Sequence, residues 1–117
     1  MSSAPQPSAS PLIPRPDHTP AALRQALAAV APEYLDEMRE SMETAVTQAL
    51  EENSVSPVLL WKLRWAQTIE IERHPDLRDR YHQALHTMHH ADSEAEAKEA
   101  ADEASVLLDE AMKAVRE

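Results

Sequence analysis

The stretch SPVLLWKLRWAQTIEIERHP, residues 56–75, decides the fold of this chain. Its apolar residues recur at helical spacing, and its first half is apolar on nearly every side, which is typical of a buried helix. One proline follows its first serine and another ends it. Proline suits the first turn of a helix, because its missing N–H would be unpaired there. The stretch therefore predicts a central helix over 57–73 and a further helix that begins at Pro75.

The rest of the chain is divided in the same way. Pro20 and Pro32 each precede an amphipathic run, and Ser93 with Glu96 forms a capping box. The chain contains no glycine, so tight hairpin turns of the favoured glycine-bearing types are not expected. We predict an all-α protein, a compact bundle of four to five helices over 19–117. The predicted helices cover about 20–31, 33–52, 57–73, 75–90 and 93–115.

The lead, residues 1–18, differs in composition from the rest. It is rich in proline and serine, and such a segment cannot form a core of its own. We predict a disordered, flexible tail, in which Leu12 and Ile13 form a weak docking motif.

Two apolar stripes predict the buried faces of the second and fifth helices. The first consists of Leu35, Met38, Met42, Ala45 and Ala49, widened by Val46 and Leu50. The second consists of Ala97, Ala101, Ala104, Leu108, Ala111 and Val115. The alanine-rich half of the second stripe buries little area per residue. The fifth helix is therefore the predicted place for a homodimer contact.

Composition also bears on location. The chain has no cysteine, which excludes disulfides and thiolate chemistry and fits a reducing compartment. No window approaches the roughly 18 apolar residues of a membrane span. The start of the sequence lacks the basic and apolar regions of a secretory signal. We expect a cytoplasmic protein with no membrane contact.

The formal net charge of −10 is concentrated in two segments, 32–52 and 91–117. Such acidity opposes binding to nucleic acid and suits attraction to a basic protein. The leading prediction is a non-enzymatic interaction module, antitoxin-like or regulatory, with a basic protein partner. Its predicted contact residues are Glu37, Glu40, Glu43, Glu99, Asp102 and Glu103, with Trp61 as an apolar anchor. A solvated acidic surface with no partner is the alternative explanation of the charge.

A histidine row lies on the predicted fourth helix. His82, His86 and His90 are four residues apart and share one face, and two histidines at this spacing can bind zinc or nickel. The row lies opposite the apolar side of the helix, so we expect it to face solvent. It supports an alternative function as a metal- or pH-sensing module.

A basic cluster supports a further alternative, a nucleic-acid-binding regulator that uses helices 57–73 and 75–90. Proline instead of a glycine turn joins these helices, which departs from a helix-turn-helix. Acids also interleave with the bases, so local ion pairs are the competing explanation. The basic residues are Lys62, Arg64, Arg73, Arg78 and Arg80.

Enzymatic chemistry has little support in the sequence. Without glycine there is no glycine-rich phosphate loop and no nucleophile elbow. Nearly all carboxylates fall on the polar side of a predicted helix, where nothing shifts their pKa for acid–base work. We predict no catalytic residue and no cofactor.

Two stretches carry a family resemblance, ALRQALAAVAPEYLDEM at 22–38 and the run that extends from SPVLLWKLRW to YHQAL at 56–85. Together they resemble a family of short uncharacterised actinobacterial proteins, with a match over about residues 20–85. None of the shared motifs encodes chemistry. The resemblance implies a small soluble protein, and by analogy it favours an antitoxin-type or regulatory role.

Overall fold

The computed structural model describes residues 10–117, and within them the regular structure is entirely helical. This confirms the prediction of an all-α bundle. A 3₁₀ turn, Pro32–Tyr34, joins the first two helices. The five helices are α1 (Pro20–Val30), α2 (Leu35–Glu52), α3 (Ser56–Glu72), α4 (Pro75–His90) and α5 (Glu94–Arg116).

Prolines and hydroxyl caps mark the helix starts. Pro20 and Pro75 are the first residues of α1 and α4. Thr19 and Ser93 cap α1 and α5 through side-chain oxygens that accept backbone N–H bonds of 3.1 and 3.2 Å. Pro32 begins the 3₁₀ turn instead, so α2 begins slightly later than the sequence predicts.

Helix α3 is the central element, because it packs against α1, α2, α4 and α5. Trp65 and Ile69 on α3 are buried against Leu23 and Leu27 of α1. Val115, near the end of α5, joins the same core. Helix α3 thus contacts all four other helices, while α4 and α5 also pack against each other.

The buried face of α2 is narrower than its apolar pattern predicts. Met38 and Ala45 are buried, but Val46 and Leu50 are exposed and do not widen the seam. The physical reason is length: α1 has 11 residues and α2 has 18, so α1 covers only part of α2.

The buried face of α5 also differs from the predicted stripe, mainly over residues 97–108. Ala100 and Leu107 are buried, whereas Ala97, Ala101 and Leu108 are only half-buried. The other three members of the stripe are buried as predicted. Because α5 packs against both α3 and α4, two neighbours determine its register, and its apolar face is covered within the chain.

The second half of the lead lies against the end of α3. The Leu12 N–H donates to the Arg73 carbonyl at 2.7 Å, and the Arg73 guanidinium donates to the Ile13 carbonyl at 3.0 Å. These contacts involve the Leu12 and Ile13 docking motif of the predicted flexible tail, so the part of the lead around these two residues packs against α3. The cause is Arg73, a buried cation whose hydrogen bonds need acceptors. Residues 1–9 lie outside the described part of the chain.

None of the helices within residues 10–117 combines the length and the apolarity that crossing a membrane requires.

Candidate protein-binding surfaces

The acidic residues predicted to bind a partner fall on two separate surfaces. Glu37, Glu40 and Glu43 lie exposed on α2, and the other three lie on α5. Helices α2 and α5 do not contact each other, because α3 stands between them. The structure therefore divides the predicted site, and each surface has to be judged by its own geometry.

The α5 surface forms one wall of a groove between α4 and α5, which we call the acidic groove. It is open and has a volume of about 830 Å³. Small and apolar side chains, Ala84, Ala100 and Val106, lie along it. Its charged lining consists of Asp79 and Arg80 from α4 and Glu96, Glu99, Asp102 and Glu103 from α5.

Some of these charges are already paired. Arg80 reaches Glu103 at 2.9 Å, and Lys98 reaches Asp102 at 3.2 Å. Within the described residues, Glu96 and Glu99 have no ion pair. The groove thus combines an apolar lining with an excess of negative charge.

Trp61 does not form the exposed apolar anchor that the sequence predicts. Trp61 is 6% exposed and belongs to the core. The indole N–H donates to Ser41 Oγ at 3.0 Å and to the Met38 carbonyl at 3.2 Å. Trp61 instead lies along a groove of about 580 Å³ between α1 and α2. The helical pattern of α3 could not separate these outcomes, because its first half is apolar on nearly every side.

The basic cluster is largely paired with acids. Arg73 is buried, and Arg64 pairs with Glu37 at 3.0 Å while its guanidinium lies over the Trp65 ring. Arg80 faces the acidic groove, as described above, and Arg78 lies 3.5 Å from its neighbour Asp79. These contacts correspond to the local ion pairs that the sequence offered as the competing explanation.

The histidine row does not act as one unit. His82 turns to α3 and contacts the buried Glu72 carboxylate, with 2.7 Å between Nε2 and Oε2. This corrects the prediction that the whole row faces solvent. The His86 and His90 ring centroids lie 4.4 Å apart, with the ring planes tilted by 42°. In the described part of the chain, no group of three or more histidine and acidic residues is arranged to hold a metal ion.

Two buried carboxylates, Glu70 and Glu72, are the charged residues that sequence reasoning missed. Glu70 receives a bidentate contact from Arg15, with both distances 2.9 Å, and further contacts from Arg73 and His74. Burial raises the pKa of Glu70, but the hydrogen bonds from Arg15 and Arg73 outweigh it and lower the pKa to about 2. The sequence did contain a signal for these contacts: Arg73 and His74 come three and four residues after Glu70, so they lie on its side of the helix.

Glu72 lines a small cavity of about 160 Å³ together with Tyr34 and Tyr81. Burial and the charge of Glu72 raise the pKa of both phenols. His82 is the base that contacts the Glu72 carboxylate. This arrangement joins α4 to α3 through a partly buried hydrogen bond.

Comparisons of the chain with protein-family models, with curated proteins and with solved structures gave no match. The resemblance to the actinobacterial proteins therefore stays a prediction.

Proposed function

We propose that the protein is a non-enzymatic interaction module that binds a basic segment of a protein partner in the acidic groove. The observation that carries the proposal is that one groove combines an apolar lining with carboxylates that lack a cation. Lysine or arginine from a partner would supply the missing charge, and small apolar side chains would fill the space between α4 and α5.

The two parts of the groove would contribute differently. Exposed ion pairs contribute only about 0–1 kcal/mol each, so the carboxylates serve mainly to speed and orient the encounter. Desolvation of Val106 and the alanines would supply the affinity that does not depend on salt. Such a module would regulate or neutralise its partner by covering a basic surface, which matches an antitoxin-like role. We place it in the cytoplasm, since the chain carries no cysteine.

A binding experiment tests the proposal. A labelled amphipathic peptide of Lys, Ala and Leu is titrated with the full chain, and fluorescence anisotropy is read at low and moderate ionic strength. A counterpart peptide with Glu in place of Lys serves as the reference. We expect the basic peptide alone to bind, and its affinity to fall as salt rises.

Variants locate the binding in the groove. Glu96→Gln with Glu99→Gln should weaken binding roughly tenfold, since two partial ion pairs are lost. The matched control, Asp109→Asn with Glu110→Gln, removes the same charge from exposed positions of α5 outside the groove. An equal loss in both variants would show a general charge effect and would contradict the groove.

Co-purification from the native host, at low and moderate salt, connects the peptide result to a natural partner. We expect a protein with a surface rich in Lys and Arg, retained by the native chain and lost with the groove variant. Recovery of no protein partner under either condition contradicts the proposal.

The two alternative functions, a nucleic-acid-binding regulator and a metal- or pH-sensing module, stay predictions. No observation favours either of them, because Arg64 and Arg73 contact carboxylates and His82 contacts Glu72.

A further inference from the structure

Three of the four aromatic rings of this chain line one cavity. The sequence contains two tyrosines, two tryptophans and no phenylalanine. Tyr34 from the 3₁₀ turn, Trp65 from α3 and Tyr81 from α4 lie around the cavity of about 160 Å³ described above. Apart from the two tryptophans, the buried hydrophobic core contains no aromatic residue. The chain therefore concentrates its aromatic surface at this opening, which we call the aromatic cavity.

A buried carboxylate with one unused oxygen belongs to the same cavity. The Glu72 side chain is 4% exposed, and its Oε2 contacts His82 Nε2 at 2.7 Å. Within residues 10–117 its other oxygen, Oε1, has no hydrogen bond. No fully buried side-chain N or O atom of that range lacks a hydrogen-bond partner, so Oε1 must reach open space. Glu72 lines the aromatic cavity, which is therefore the space that this oxygen faces.

The two phenol groups of the cavity also have unused hydrogen-bonding capacity. Neither the Tyr34 nor the Tyr81 hydroxyl forms a hydrogen bond with another residue of the described chain. Burial and then the negative charge of Glu72 raise the pKa of both phenols, so the field of this carboxylate reaches both rings. The cavity therefore offers a carboxylate oxygen, two hydroxyl groups and aromatic walls to a ligand.

The charge balance of the cavity is negative. At its exposed rim Arg64 pairs with Glu37 at 3.0 Å, so these two charges offset each other. Arg64 also lies 5.1 Å from the centroid of the Trp65 ring, within the range of a cation–π contact. Glu72 is then left with His82 alone, and histidine is not a permanent cation. A buried carboxylate is costly without a counter-charge, so the cavity favours a positively charged occupant.

We propose that the aromatic cavity binds a small alkylammonium cation. Glu72 supplies the counter-charge, and the three aromatic residues surround the alkyl groups. Aromatic faces attract such cations, and pockets of several rings recognise methylated ammonium groups. A volume of about 160 Å³ holds roughly five heavy atoms at about 30 Å³ each, which is the size of a tetramethylammonium ion. A metal ion fits less well, because no group of three or more histidine and acidic residues in the described chain is arranged to hold one.

The ligand reaches the cavity from the side of Glu37 and Arg64, because both of these lining residues are exposed. The same ammonium group occurs in free methylated amines and on methylated lysine side chains of proteins. The cavity shares no lining residue with the acidic groove, so this proposal does not depend on the function proposed for that groove.

An NMR titration of the full chain with tetramethylammonium chloride tests the proposal. Spectra of the ¹⁵N-labelled protein are followed to about 10 mM ligand at constant ionic strength, a range that spans millimolar dissociation. We expect saturable shifts of the signals of Tyr34, Trp65 and Tyr81, with weak affinity because the ligand is small. The reference ligand, tert-butanol, has the same number of heavy atoms and no charge, and it should give no saturable shift.

Two peptides distinguish the sources of the ammonium group. One contains a single trimethyllysine among alanines and serines, and the other contains unmodified lysine at the same position. If the trimethyllysine peptide binds more tightly than tetramethylammonium, the natural ligand is a protein side chain. If it binds equally or less tightly, the natural ligand is a free methylated amine. The unmodified peptide should bind less tightly than the methylated one, because its ammonium group is strongly hydrated.

A charge variant locates the cation beside the buried carboxylate. Glu72→Gln removes the counter-charge and should weaken tetramethylammonium binding roughly tenfold. The matched control is Glu33→Gln, which removes the same charge from an exposed residue next to Tyr34 that does not line the cavity. Its affinity should stay close to that of the wild type. Circular dichroism and the melting temperature show whether each variant is folded.

A ring variant tests the aromatic walls. Tyr81→Leu removes one ring and should weaken binding roughly tenfold, whereas Tyr81→Phe keeps the ring and should retain the affinity. This pair distinguishes an aromatic wall from a merely apolar one. If Tyr81→Leu fails to fold, Tyr34→Leu with Tyr34→Phe provides the same comparison from the 3₁₀ turn.

Three outcomes overturn the proposal. The first is no saturable shift with tetramethylammonium or with the trimethyllysine peptide, which would mean that the cavity holds water only. The second is equal binding of tert-butanol, which would mean that the cavity does not select a charge. The third is an affinity that Glu72→Gln leaves unchanged or that Glu33→Gln lowers equally, which would place the cation elsewhere.

Discussion

Ser41 organises the two tryptophans of the core. Its hydroxyl oxygen accepts the indole N–H groups of Trp61 and Trp65, both at 3.0 Å, and its O–H donates to the Met38 carbonyl at 2.9 Å. One serine therefore accepts hydrogen bonds from two buried indole donors. The apolar pattern predicts Trp65 as a core residue. It cannot show which of the serines meets an indole, since that depends on how α2 crosses α3.

Ser41→Ala removes the shared acceptor and should lower the free energy of unfolding by about 1–3 kcal/mol. The reason is that the Trp65 indole N–H stays buried without its partner, while Trp61 keeps the Met38 carbonyl. Urea denaturation followed by tryptophan fluorescence measures the change. Ser105→Ala, at an exposed position of α5, is the control and should be nearly neutral. Equal stability of the two variants would contradict this role of Ser41.

At the scale of the element, the end of α2 shows how a helix stops in a chain without glycine. Asn53 adopts φ 52° and ψ 48°, the left-handed conformation that glycine usually takes after a helix. The Ser54 N–H then donates to the Ala49 carbonyl at 3.0 Å and closes the last turn. The predicted second helix ends at residue 52, and the structure shows that Asn53 follows it in this conformation, which asparagine tolerates better than most residues.

Asn53→Val should destabilise the protein by about 1–2 kcal/mol, because a β-branched residue fits poorly in the left-handed region. Asn53→Gly should be neutral or slightly stabilising, since glycine adopts that region without steric cost. Thermal unfolding followed by circular dichroism compares the two variants. Equal melting temperatures of the two variants would contradict the idea that the conformation of residue 53 ends α2.

The starts of α1, α4 and α5 could be predicted at this scale, whereas α2 begins later than predicted and the faces of the helices could only partly be predicted. Proline and capping residues act locally, so the positions of Pro20, Pro75 and Ser93 are sufficient. The buried face of α5 depends on two neighbours at once. A stripe of alanines is compatible with several registers, because each alanine contributes little apolar area. The exposure of Leu50 likewise depends on the length of α1 and not on its own helix.

At the scale of the whole molecule, Glu70 joins three parts of the chain. It holds Arg15 of the lead and Arg73 and His74 at the α3–α4 junction. Glu70 itself is only 5% exposed at the side chain, so its charge depends on these partners. No local pattern predicts that Arg15, 55 residues away, contacts this carboxylate.

Glu70→Gln should lower the free energy of unfolding by roughly 3 kcal/mol at neutral pH, because it leaves the buried Arg73 guanidinium without its anion. The pKa of Glu70 is lowered in the folded state, from 4.5 to about 2, so its charge stabilises the protein above pH 4.5. This contribution is lost as pH falls from about 4.5 towards 2. The difference between wild type and variant should therefore shrink over that window.

Urea denaturation at a series of pH values measures this difference. Glu40→Gln is the control, because Glu40 is exposed on α2. Its small difference from wild type should not change over the same window. If the difference in free energy of unfolding between wild type and Glu70→Gln stayed constant with pH, the ionised carboxylate would not be the stabilising species.

The nine prolines and the absence of glycine also act on the unfolded chain. Each proline restricts the backbone before folding begins, and glycine would have widened the range of unfolded conformations. Less conformational entropy is therefore lost when the five helices form. Part of the stability of this bundle arises from the restricted conformations of its unfolded chain and not from any contact in the folded one.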